Sequence, residues 1–76
     1  MLSLYPNPAN DELKINSTER IKEIIIYSLL GEKVMETDQI NGNNFSVNIV
    51  QLKEGLYTIS VISEKTIQNR KLIVRR

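Results

Sequence analysis

Two pairs of carboxylates lie close enough in this chain to suggest acid–base chemistry, Asp11 with Glu12 and Glu36 with Asp38. On extended backbone successive side chains point to opposite faces, so Asp11 and Glu12 cannot converge on one substrate. Glu36 and Asp38 share a face but sit beside a loop, and both pairs read as solvated surface acids. The chain has no histidine and no cysteine, which removes imidazole general bases, thiol nucleophiles and soft-metal ligation. No nucleophile stands beside a group that would activate it, so neither an enzymatic activity nor a cofactor is expected. Asp38, Asn41, Asn43 and Asn44 form an oxygen-rich run of the kind that calcium takes from loops. Three neutral amides with one acid make a weak site, and no metal is expected either.

What remains is chemistry of contact. Tyr5, Tyr27, Tyr57 and Phe45 are the aromatic residues, and exposed rings of this kind stack on sugars or bases. Tyr57 follows Gly55 at the head of an apolar segment and Phe45 alternates with polar neighbours, so both are assigned to the core; Tyr5 and Tyr27 stay open. Arg70, Lys71, Arg75 and Arg76 are the one local charge excess. On a final edge strand such residues block pairing between molecules, or they offer a handle to a partner protein. Ten basic residues against nine acidic leave a net charge of +1, too even for a nucleic-acid footprint. No apolar stretch approaches the roughly 20 residues that cross a bilayer, and the start lacks the regions of a signal peptide.

The elements that must carry these groups follow from a period of two. Apolar residues recur at alternate positions and isoleucine dominates them, which predicts strands rather than helices. Leu2 to Tyr5 is a short first strand. Pro6 and Pro8 then fix two backbone angles and remove two N–H donors, so Tyr5 to Asp11 must be a corner outside any sheet. Glu12 to Asn16 is a half-buried strand and Asn16 to Arg20 a polar break. Ile21 to Leu29 is the central strand, with Ile24 and Ile26 on one face and Ile25, Tyr27 and Leu29 on the other. Gly31 reverses the chain into Lys33 to Thr37. Asn41 to Asn44 is a turn, and Phe45 to Ile49 a further strand. Leu52 to Gly55 is a corner with Leu52 dipping into the core, and Leu56 to Ser63 follows. Thr66 to Arg75 closes the chain, anchored by Ile67, Leu72 and Val74. About seven short strands spaced in this way predict a single all-β domain, an immunoglobulin-like β-sandwich. A chain of 76 residues buries only about 60% of its unfolded surface, so the core is thin and rests on apolar packing alone.

Several of these landmarks occur together in one family. The order Leu2 to Pro8, Leu13 to Ile15, Ile24 to Tyr27 with Gly31 to Val34, Val47 to Leu52 with Gly55 and Tyr57, and Lys71 to Val74 resembles the type A C-terminal sorting domain of the type IX secretion system. The resemblance spans essentially the whole chain. It implies a terminal module excised from a larger precursor of a Bacteroidota bacterium, with Met1 an added start. It further implies transit through the periplasm, recognition of the folded module by the outer-membrane translocon, and removal by a sortase-like peptidase that cuts ahead of the domain and often leaves the cargo on the cell surface. The family's motifs fall on Tyr5, Pro6, Asn7 and Pro8, on Gly31 and Lys33, on Gly55 and Tyr57, and on Lys71; with the basic end, Arg75 and Arg76, these are the candidate translocon contacts. The family often has Asp and Ser where this chain has Asn48 and Val50, and a lysine-rich end where it has Arg75 and Arg76. On this resemblance, Pro6→Ala with Pro8→Ala, or loss of Lys71 to Arg76, should lower export more than stability. A second assignment, to an accessory spacer or carbohydrate-binding domain of a secreted hydrolase or adhesin, requires exposed aromatics on one flat face.

Overall fold

The computed structural model of the chain describes residues 2–7 and 9–75, so what was expected of Met1, Pro8 and Arg76 lies outside the described residues. The strands are β1 (Leu2–Tyr5), β2 (Glu12–Ser28), β3 (Lys33–Thr37), β4 (Gly42–Asn48), β5 (Gly55–Ser63) and β6 (Ile67–Val74). All pairings between them are antiparallel. The all-β class is therefore as expected, with six strands among the described residues in one curled sheet, consistent with an immunoglobulin-like sandwich.

The spine is a long ribbon. β2 runs unbroken through Asn16 to Arg20, where a polar break was expected. Three polar contacts to distant segments and one local bond keep that stretch extended. Asn43 Nδ2 donates to the Ser17 carbonyl at 3.0 Å, and Arg20 donates to Asn41 Oδ1 at 2.6 Å. Thr66 Oγ1 donates to Glu19 at 2.8 Å, and the Glu19 N–H to Ser17 Oγ at 3.1 Å. β3 and β4 run one after the other along the same side of β2, so the chain does not reverse between them. The turn expected at Asn41 to Asn44 is instead a jog just before β4, with Gln39 in the left-handed region at φ 58° and the Ile40 N–H bonded to the Lys22 carbonyl at 3.0 Å.

The ribbon folds over at this irregularity, and its two halves enclose the core. Leu13, Ile15, Val47 and Ile49 come from one half; Ile24, Ile26, Ile59, Val61, Leu72 and Val74 come from the other, all in one buried cluster. Every one of these obeys the alternation read from the sequence, and Leu52 joins them as expected. Phe45 and Tyr57 pack on the cluster's margin. Two expectations fail at strand ends. Ile67 is 67% exposed, because the even positions Leu72 and Val74 take the inner face and Ile67 has the opposite parity; Leu29, 77% exposed, lies beyond the end of β2 in the turn.

Candidate recognition surface

Gly31 makes the β2–β3 turn with φ +89°, a backbone angle that side chains with a Cβ resist. The Gly31 N–H donates to the Ser28 carbonyl at 2.9 Å, and the Ser28 N–H to the Glu32 carbonyl at 2.7 Å. That closure sets Lys33 opposite Tyr27. In register, Tyr27 faces Thr58 and Thr58 faces Lys71, so Lys33, Tyr27, Thr58 and Lys71 form one row across four strands. An open groove of about 400 Å³ lies here, walled by Tyr27, Gly31, Thr58, Ser60 and Asn69. The groove assigns Tyr27, which the sequence left open, to the outer face.

One residue row further, Ser28 faces Tyr57 and Tyr57 faces Leu72; next to it Gly55 faces Val74. The Tyr57 hydroxyl donates to the Lys53 carbonyl at 2.6 Å. A tyrosine near the start of a strand that bonds back to the preceding corner is a recurrent device of sandwich domains. Here it holds the Leu52 to Gly55 corner against β5.

The proline corner reaches the same place from the opposite end of the sequence. Asn7 brackets the open edge of β6, its Nδ2 donating to the Lys71 carbonyl at 3.3 Å and its Oδ1 accepting from the Ile73 N–H at 3.2 Å. Ala9 then forms a parallel bridge with Val74, donating to the Ile73 carbonyl at 2.7 Å and accepting from the Arg75 N–H at 2.9 Å. Asn7 and Ala9 thus stand in for a missing neighbouring strand. The sequence named Asn7 as a candidate contact through its motif but gave it no bonding partner. The readable signal was that an amide in an extended, proline-locked segment has few local groups to bond and must find distant ones.

Asn7, Gly31, Lys33, Gly55, Tyr57, Lys71 and Arg75 are therefore gathered at one end of the β3–β2–β5–β6 half, with Pro6 in the segment that carries Asn7. Tyr5, at the end of β1, pairs with Lys14 of the other half and is about half exposed. The acids behave as surface groups. Glu36 pairs with Lys33 at 3.2 Å. A hydrogen bond with Glu36, reinforced by its charge, holds the Glu23 carboxyl above the ordinary range, while that same bond and Lys33 hold Glu36 below it. The Glu36 contact also raises Lys33. Asn41 and Asn43, two members of the oxygen-rich run, are engaged by β2 through Arg20 and Ser17. Among the described residues no three acids gather as a metal site would need, and no helix is long and apolar enough to cross a membrane.

A family model described as a secretion system C-terminal sorting domain matches residues 3–75. No curated protein matches the chain. Covered almost from end to end by that model, and with the motif residues of four separate segments assembled on one end of an all-β fold, the chain belongs to the secretion system C-terminal sorting domains, the sorting signals of type IX secretion cargo.

Proposed function

We propose that the domain performs no chemistry of its own and acts as a folded label. The outer-membrane translocon reads it from the periplasmic side at the end formed by the proline corner, the Gly31 turn and the last strand. A sortase-like peptidase then separates it from cargo joined on its N-terminal side, and the cargo reaches the cell surface or the medium. The observation that supports this reading is the convergence of Asn7, Gly31, Lys33, Gly55, Tyr57, Lys71 and Arg75, four stretches far apart in sequence, on one end of one sheet. Such a surface exists only in the folded chain and does not depend on the cargo.

The test is a reporter fused ahead of this chain in a host that carries the secretion system. Lys33→Ala with Lys71→Ala, both on the outer row, should lower surface display severalfold at an unchanged melting temperature. Lys14→Ala, on the outer face of the other half, should leave display as in the wild type. Equal display by all three would remove the proposed end as the contact. Retention of the unaltered fusion in the periplasm, as for a reporter with no domain, would favour an accessory domain.

A further inference from the structure

The edges of this sheet are protected unequally. β3 carries Lys33 and Glu36, and β1 is only four residues long. β6 carries Arg70 and Lys71 and is bracketed by Asn7 and Ala9. β4 has none of these devices. It pairs with β2 alone among the described strands, and from Gln39 to Gln51 the chain contains no charged residue and no proline. The one irregularity of the β2–β4 ladder lies between Gly42 and Asn44, so Asn44 to Asn48 pairs in regular register, and an uncharged edge without proline is a template for pairing with another strand.

The register says which backbone groups face outward. The Ile49 N–H bonds to the Asp11 carbonyl at 2.8 Å. That bond lies on the same ladder as Val47 opposite Leu13 and Phe45 opposite Ile15. In an antiparallel pair hydrogen-bonded and non-bonded positions alternate, so Phe45, Val47 and Ile49 turn their N–H and C=O groups toward β2. Asn44, Ser46 and Asn48 turn theirs to the open edge. The side chains of those three are exposed on the polar outer face, while Phe45 and Val47 look inward.

This strand is complementary to itself. A two-fold axis at Ser46 sets Ser46 opposite Ser46 of a second copy and Asn44 opposite Asn48, and all three positions are outward-facing ones that supply both a donor and an acceptor. The same axis sets Phe45 opposite Val47 on the inner face, ring against branched aliphatic chain, a favourable cross-strand pair. Neither match places like charges together or an amide against an apolar group. We propose that β4 is a self-pairing edge through which two copies of this domain join antiparallel into one continuous sheet. The surface differs from the Asn7 and Lys71 end, so its use by a second copy leaves that end accessible.

Sedimentation equilibrium over a wide concentration range tests the pairing, with circular dichroism to verify folding of each variant. The unaltered domain should show a reversible monomer–dimer equilibrium. Ser46→Lys and Ser46→Glu each place like charges opposite one another and should each weaken the dimer by roughly tenfold or more, about 1.4 kcal/mol. Mixed in equal amounts at low salt, the two variants should regain dimer, because only a Ser46-centred register sets lysine against glutamate. The chain has no cysteine, so Ser46→Cys additionally gives a clean cross-link between copies. A domain that is monomeric throughout overturns the proposal and leaves the edge to a strand of another protein. A dimer indifferent to both charges, or one not restored by mixing, also overturns it, because its contact then lies elsewhere.

Discussion

Tyr57 shows how one atom can hold a corner. Its ring lies on the margin of the core and its hydroxyl reaches the Lys53 carbonyl at 2.6 Å. Tyr57→Phe keeps the ring and removes that bond, at an expected cost of about 1 kcal/mol in urea unfolding; an unchanged midpoint would mean that the corner is held by packing alone. The acid pair on the β2–β3 face gives a second expectation, in pH. Glu23 binds its proton more tightly when folded, so its contribution to stability is complete below the unfolded carboxylate value and is lost as pH rises through its raised folded value. Glu36 is held low, so its contribution is present above the unfolded value and is lost as pH falls through its folded one. Glu23→Gln keeps a donor toward Glu36 at every pH. The variant should therefore gain on the wild type in thermal melts as pH rises from the acid range to neutrality, whereas a difference independent of pH would show that the two carboxyls do not share a proton.

At the scale of elements, the β2–β3 hairpin depends on one backbone angle. A Cβ added at Gly31 meets nothing within 4 Å, so any penalty there comes from φ +89° itself and not from crowding. Gly31→Ala should cost about 1–2 kcal/mol. Because the turn sets Lys33 opposite Tyr27, the substitution should also shift the amide resonances of both residues; a variant as stable as the wild type would show that the turn relaxes into another type. Most of the strand pattern was legible beforehand. Alternation named the inward residues of β2, β4, β5 and β6 because a period of two is a local property of extended chain. The continuity of β2 through Asn16 to Arg20 was not, because its polar residues are satisfied by Asn41, Asn43 and Thr66, which are far away in sequence. The jog before β4 escaped for a related reason. An Asn-Gly pair commonly signals reversal, yet here Gly42 pairs with Ile21 and the ribbon merely bends.

For the whole molecule, the structure separates two interventions that the sequence treated as equivalent. Removal of Lys71 to Arg76 would delete Leu72 and Val74, both fully buried, as well as the carbonyls and N–H groups to which Asn7 and Ala9 bond. Loss of two such side chains costs several kcal/mol, a large share of what a small domain possesses. The truncated chain should fail to show a cooperative thermal transition, so a loss of export on truncation would report unfolding rather than a lost contact. On this argument truncation costs stability first, against the expectation that it lowers export more than stability. A truncated domain that still melts cooperatively near the wild-type temperature would restore it.

The sequence by itself determined the β class, the inward side of nearly every strand and the absence of histidine and cysteine chemistry, because alternation and composition are written along the chain. Its resemblance to the sorting domains was legible from motifs for the same reason. Only the tertiary structure decided that Asn7, Gly31, Lys33, Gly55, Tyr57, Lys71 and Arg75 gather at one end. Asn7 lies 64 residues from its partner Lys71, and Gly31 and Gly55 reach the same end only because β2, β5 and β6 pair in a particular register. Contacts of that kind depend on which strands become neighbours after the ribbon has folded over, and no local pattern records it.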